Sequence, residues 1–368
     1  MTFDPILRLN AMEDFLAAHG LQDAQRIALG ADASTRRYFR LTLDGGETRL
    51  LMDAPPVEPP ICGPEDDAAT REAKGWNALT RLAASRVDAF VLVAKHLREL
   101  GVLAPLVYAH DSKAGFALLE DFGTHREFAR LIEAGRADEV SLYTSAAKLL
   151  ADLHSYPIPD VIEHGGETWQ ILPFDRLALQ SNADLYADWL PVEAGGTALS
   201  GDLRARWYAE RDELISMAEA FPRTLTLRDF HAENLLWLDD SGQKIGVLDF
   251  QDAVVGWDVW DIAMLTQDAR REVSPEAAEA VIFHYLEMTG KAREAFEERL
   301  AVIGALNALR IAGVFSRLQH RDGKPRYGDF QGRQLRMLAK NLEHPSLAGM
   351  RAFVAEATPF VFEGLPGK

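Results

Sequence analysis

Near residue 120 the chain changes its period, and this change limits the fold more than any other feature. Before it, Tyr38-Phe39-Arg40-Leu41-Thr42-Leu43 and residues 48–53 alternate as strands do, joined by the hairpin turn Asp44-Gly45-Gly46-Glu47. Residues 107–109 and 116–119 read as two more strands, linked by an Asp-Ser-Lys-Ala-Gly turn. After residue 125 apolar residues recur at helical spacing, near 125–135, 138–154, 170–190 and 202–221, and helices return towards the C-terminus. Only two short strands, 235–238 and 245–248, interrupt them. Strands gathered first and helices gathered afterwards predict an α+β fold, because each group buries its apolar side mainly against its own kind. The predicted division is a small β-rich lobe over residues 1–122 and a larger, mainly helical lobe over residues 123–368.

Helices are also expected at 4–20, 65–82 and 87–100, with a Pro-rich loop over 54–64. At 368 residues the chain is long enough to bury two cores. A net charge of −17 argues against a nucleic-acid partner or an anionic membrane surface, both of which need a basic footprint, and would suit a cationic acceptor. Cys62 is the single cysteine, so no internal disulfide can form and a reducing compartment is expected. The first twenty residues carry acids and lack the basic start and apolar run of a signal peptide. No stretch reads as long enough to span a bilayer. The bulk reading is a cytoplasmic protein without a membrane span.

The strongest local signal is Leu227-Arg228-Asp229-Phe230-His231-Ala232-Glu233-Asn234, followed by Val247-Leu248-Asp249-Phe250-Gln251-Asp252. Phosphoryl transfer needs a carboxylate to accept the proton of the attacking hydroxyl and a divalent cation to neutralise the phosphates. Mg2+ takes hard oxygen ligands, a few from protein and the rest from phosphate and water. An Asp on a loop, an Asn five residues later and an Asp after a short hairpin bring three such oxygens to one cleft. The run 235–238 and the turn at Gly242 supply that hairpin.

These blocks, and the order of elements around them, resemble the aminoglycoside phosphotransferase and choline kinase branch of the protein-kinase-like, two-lobe fold. The resemblance implies Asp229 as catalytic base, Asn234 and Asp249 as Mg2+ ligands, and ATP as donor. It gives Asp261 a place in holding the catalytic loop, with a helix N-cap carboxylate as the other reading. It marks His154 as a recurrent histidine, read here as structural. Glu120 falls in the hinge-like Leu118-Leu119-Glu120-Asp121, on the nucleotide side. Leu227 stands where the family often has His. A larger departure is Met52, in the strand position where kinases carry the Lys that pairs the α- and β-phosphates with a helix Glu. Glu72 could be that Glu, but without the Lys its role is open. The loop 30–37 offers a substitute grip: Ser34, Thr35, Arg36 and Arg37, with Arg40 just beyond. Guanidinium binds phosphate in a bidentate fork.

A narrower resemblance covers nearly the whole chain. Ser34-Thr35-Arg36-Arg37-Tyr38-Phe39-Arg40, Leu51-Met52-Asp53-Ala54-Pro55-Pro56 and Phe315-Ser316-Arg317-Leu318-Gln319-His320-Arg321-Asp322-Gly323-Lys324 are similar to blocks of the bacterial N-acetylmuramate/N-acetylglucosamine anomeric kinases of cell-wall recycling. There Met52 would be a family trait. The implied reaction is ATP plus amino sugar giving sugar 1-phosphate. The lactyl carboxylate of N-acetylmuramate calls for a basic partner, for which Arg317, Arg321 and Lys324 are the candidates. Asp175 and Asp188 are candidates for the sugar hydroxyls. The alternatives are a kinase of the same fold acting on an aminoglycoside, choline or another alcohol, and a nucleotide-binding pseudokinase motivated by Met52. The oligomeric state is not read from the sequence.

Overall fold

The computed structural model describes residues 5–30, 36–55, 62–84, 86–238 and 244–365. Ser34, Thr35 and the Gly242 turn, all invoked above, lie outside the described residues. The chain forms two compact units.

The first unit holds the described residues up to Ala134 together with Ile158–Leu172 and Glu233–Val254. Its centre is a five-stranded antiparallel sheet: β1 (Gln25–Ala28), β2 (Arg37–Thr42), β3 (Thr48–Asp53), β4 (Val107–Asp111) and β5 (Phe116–Glu120), in the order β1-β2-β3-β5-β4. The alternation fixes which side is buried: Leu41, Leu51, Phe116 and Leu118 face Met12, Phe15 and Leu16 of the helix Pro5–Ala18. Charge is also locked inside. Asp53 is fully buried and accepts from Arg8 Nε (2.8 Å) and Nη2 (2.6 Å), with Arg37 as a second cation. The helix expected over 65–82 is divided into Ala68–Lys74 and Trp76–Leu79 by Gly75, whose φ of +90° no helix accommodates.

Two departures from the expected pattern fall between 155 and 175. A hairpin, Val161–His164 with Glu167–Gln170, occupies a stretch assigned no structure, and the helix expected from 170 begins at Arg176. With only four residues per strand, the hairpin has too few repeats to show a period. The hairpin expected around 235–248 forms as Leu235–Trp237 paired with Ile245–Val247.

The second unit comprises Gly135–Pro157, Pro173–Ala232 and the described residues from Val255. It is built on the 28-residue helix Arg293–His320, which packs on Arg176–Trp189 and Gly328–Asn341. Gly313 makes one crossing possible: a Cβ there would lie 2.3 Å from the Leu185 carbonyl carbon. This helix corrects the expectation that no stretch is long enough to span a bilayer. By length and composition it could cross a membrane, yet 83% of its most apolar window is buried inside the protein, as in a core helix. Arg223–Thr226 pairs with Val254–Trp257, two strands not anticipated from sequence.

Candidate active site

In the second unit, the segment 227–232 leaves the strand Arg223–Thr226 and carries Asp229. Its backbone is held from below. The buried Asp261, in the first turn of the helix Asp258–Thr266, accepts the Leu227 amide at 2.8 Å and the Arg228 amide at 2.9 Å. Trp260 Nε1 donates to the Arg228 carbonyl at 3.2 Å. These bonds hold Arg228 at φ +75°, a left-handed conformation costly for a long side chain and characteristic of functional loops. Burial pushes the Asp261 carboxyl up to about 7, and the two amides pull against that rise. The N-cap reading of Asp261 is corrected: the N-cap of the helix is Trp257, Asp261 lies one turn in, and its carboxylate is spent on the loop.

Asp229 opens into a cavity of about 120 Å³ contained in the same unit. Asp268, Arg270 and Arg310 supply the other charges of its lining, and Met264, Ile311 and Phe315 an apolar wall. Asp268 is 3% exposed; its Oδ1 accepts the Arg270 amide, while its buried Oδ2 has no hydrogen-bond partner. Arg270 Nη1 donates to His231 Nε2 at 3.1 Å. Because arginine only donates, that nitrogen of His231 is the unprotonated one. Arg310 gives Nε (3.1 Å) and Nη2 (2.9 Å) to Asn307 Oδ1. Burial pulls its guanidinium down to about 10, and the Asp229 charge partly restores it.

Asn234 and Asp249 belong to the first unit and stand at the same end of one hairpin: Leu235 pairs with Val247, and the Leu248 amide donates to the Asn234 carbonyl at 2.9 Å. Asp249 is also left-handed, at φ +58°. Its Oδ1 accepts from Arg36 Nη2 (2.8 Å) and Gln251 Nε2 (2.9 Å). Burial alone would depress the Arg36 guanidinium, but Tyr38, Asp249 and Asp252 outweigh it and raise it. A carboxylate and a carboxamide at one hairpin end form a hard-oxygen set of the kind Mg2+ takes, and the cation now facing Asp249 is the Arg36 guanidinium.

The remaining sequence candidates are engaged elsewhere. Arg37 pairs with Asp53, and Arg40 with Asp121 at 2.5 Å, leaving Arg36 as the arginine of the three that reaches Asp249. Met52 is buried between Tyr38 and Ala117 on neighbouring strands. Glu120 Oε2 accepts the Leu106 amide at 3.0 Å. Glu72 is exposed. Asp175 caps the helix Arg176–Trp189 through the Ala178 amide, and Asp188 accepts from Arg204. Arg321 pairs with Asp322, and Lys324 is exposed. Arg317 is half-buried, its guanidinium lowered by burial and by Arg321. None of these five acceptor-side candidates lines the Asp229 cavity. His154 is structural: Nδ1 lies 2.8 Å from the Tyr285 hydroxyl, and burial drives the ring down to about 4.

Sequence reading missed Asp268, Arg270 and Arg310. For Arg310 a signal existed: it is the one charged residue in the run 300–316. Asp268 and Arg270 carry no such mark, because only the turn after the helix Asp258–Thr266 brings them beside Asp229.

Residues 25–299 match the family described as "Phosphotransferase enzyme family". The chain is 43% identical over 353 residues to an N-acetylmuramate/N-acetylglucosamine kinase of Caulobacter vibrioides, covering 94% of this chain and 95% of that one. It is 31% identical over 312 residues to the Pseudomonas aeruginosa protein of the same name, covering 83% and 80%. Among solved structures, a choline/ethanolamine kinase family protein from Mesorhizobium loti superposes with TM-score 0.54 at 18% identity, over 95% of this chain and 99% of that one. The choline kinase of Streptococcus pneumoniae gives 0.55 at 14%, over 90% and 99%. At such identities the structures speak for the fold alone, and that fold is kinase-like.

Proposed function

The chain belongs to the phosphotransferase enzyme family, and on that premise we propose that it transfers the γ-phosphoryl group of ATP to the anomeric hydroxyl of N-acetylmuramate and N-acetylglucosamine. The products are sugar 1-phosphates, made in the cytoplasm for peptidoglycan recycling. The reading rests on the near end-to-end likeness to the Caulobacter vibrioides kinase. The mixed polar and apolar lining of the Asp229 cavity supports it, since an N-acetylated sugar presents hydroxyls beside an acetyl methyl. The lobe over 1–122 serves the nucleotide and the lobe over 123–368 the acceptor.

In this scheme Asp229 accepts the proton of the anomeric hydroxyl as its oxygen attacks the γ-phosphorus and ADP departs. Asn234 and Asp249 hold Mg2+, which when bound neutralises charge on the phosphates. Asp261 and the strained Arg228 keep the base in place, so little reorganisation is left for the reacting step. Arg36 replaces the missing strand Lys: its guanidinium, beside Asp249, would donate hydrogen bonds to a nucleotide phosphate.

Turnover of ATP with Mg2+ on each sugar, and on its methyl glycoside, tests the reading. Both free sugars are expected to react and both glycosides to be inert. A reactive methyl glycoside would refute the 1-phosphate assignment. Asp229→Ala is expected to lose about 10²–10⁴-fold in kcat while still binding ATP.

A further inference from the structure

We propose that Arg310 is the residue that recognises the carboxylate of an acidic amino-sugar acceptor, making it the determinant that separates N-acetylmuramate from N-acetylglucosamine. This inference rests on the sugar-kinase reading above. It replaces Arg317, Arg321 and Lys324, which do not line the cavity with Asp229.

The first support is an unmet charge. Arg310 stands in an otherwise apolar stretch of the core helix Arg293–His320, and among the described residues it has no ion pair. Its fixed contacts are neutral: Asn307 Oδ1, and the ring of Trp260 at 5.8 Å. A half-buried guanidinium with no anion in direct contact is costly: burial lowers its pKa, and the charge of the nearby Asp229 offsets only part of that. Such a residue is accounted for when the ligand brings the anion.

The second support is geometry. Asn307 takes Nε and one hydrogen of Nη2, which fixes the plane of the fork. Nη1 and the second Nη2 hydrogen remain as a parallel pair, the edge that binds a carboxylate bidentately. Asn307 is itself fixed, its Nδ2 lying 3.0 Å from Met264 Sδ. The third support is the surrounding wall. Asp268 lines the same cavity, and its carboxylate has an oxygen, Oδ2, with no hydrogen-bond partner, a potential acceptor for a sugar hydroxyl. One wall thus offers a cation without an ion-pair contact and an acceptor without a donor, beside the proposed base.

The two sugars differ by the lactyl group, so they form the experiment. Steady-state kinetics on both should be measured for the wild type, Arg310→Met and Arg310→Lys. Arg310→Met is expected to lower kcat/KM for N-acetylmuramate about 10- to 100-fold, mostly through KM, and to change that for N-acetylglucosamine less than about 3-fold. Arg310→Lys should recover part of the loss, since it restores the charge without the fork. Far-UV circular dichroism and the thermal unfolding midpoint, unchanged from wild type, report that the variants are folded. Equal loss on both sugars, with kcat falling, would overturn the proposal and assign Arg310 to the transferring phosphoryl group. No loss on either would also overturn it, as would a wild type active on N-acetylglucosamine alone. A wild type inactive on both sugars would instead remove the sugar-kinase reading, and this inference with it.

Discussion

His154 makes the stability of this protein depend on pH between about 4 and 6.5. The half-buried ring packs edge-on against Tyr285, and its Nε2 is enclosed with no hydrogen-bond partner. Burial is the main reason that it titrates near 4 rather than 6.5. Asp258 would favour the imidazolium, but Lys291 sits 2.5 Å from Asp258 and opposes it. The unfolded chain therefore binds a proton through the window from 6.5 to 4 that the folded chain refuses. With more protons on the unfolded side at this group, the His154 contribution to unfolding free energy rises with pH there and is lost as pH falls. Asp261 contributes with the opposite sign, since its raised pKa puts its extra proton on the folded side. At 1.36 kcal/mol per unit, the loss on reaching pH 4 is about 3 kcal/mol. His154→Asn keeps a polar atom near the Tyr285 hydroxyl and removes the titration. Urea unfolding of wild type and variant, followed by tryptophan emission from pH 7.5 to pH 4, separates this group from the carboxylates common to both. The stability difference should shrink or reverse by about 3 kcal/mol on acidification. A difference constant to within about 0.5 kcal/mol would refute the reasoning.

Three further outcomes are expected. Asp261→Ala removes the acceptor of both the Leu227 and Arg228 amides; kcat should fall about 100-fold with the KM for ATP near wild type, measured by steady-state kinetics. Arg8→Met strands the buried Asp53 with the largely exposed Arg37, and should cost about 3–5 kcal/mol in denaturant unfolding. Arg36→Ala should weaken Mg2+-ATP binding about 10-fold by calorimetry; unchanged affinity and rate would mean that the missing strand Lys has another substitute.

Much of this protein could be read from its residues in order. The change of period near residue 120 separates the strands from the helices because side-chain alternation is local and needs no partner to be visible. The proposed roles of Asp229, Asn234 and Asp249 come from the sequence for a related reason: such chemistry demands particular oxygens at short chain spacing, and Asn234 and Asp249 do stand at the same end of one short hairpin. Met52 likewise announces the missing Lys by position alone. Where elements are too short to show a period, as in the hairpin 161–170, the sequence is silent. Tertiary structure alone decided how the arginines are used. Arg36, Arg37 and Arg40 are near-neighbours in one segment, yet they reach Asp249, Asp53 and Asp121, because each reaches its own acid only across neighbouring strands or a loop. Arg310 and Asp268 stand 42 residues apart and share a cavity because a long apolar helix packs beside the turn that follows Thr266. A sequence records which charges a chain carries, and packing determines which are left without a partner for a ligand to meet.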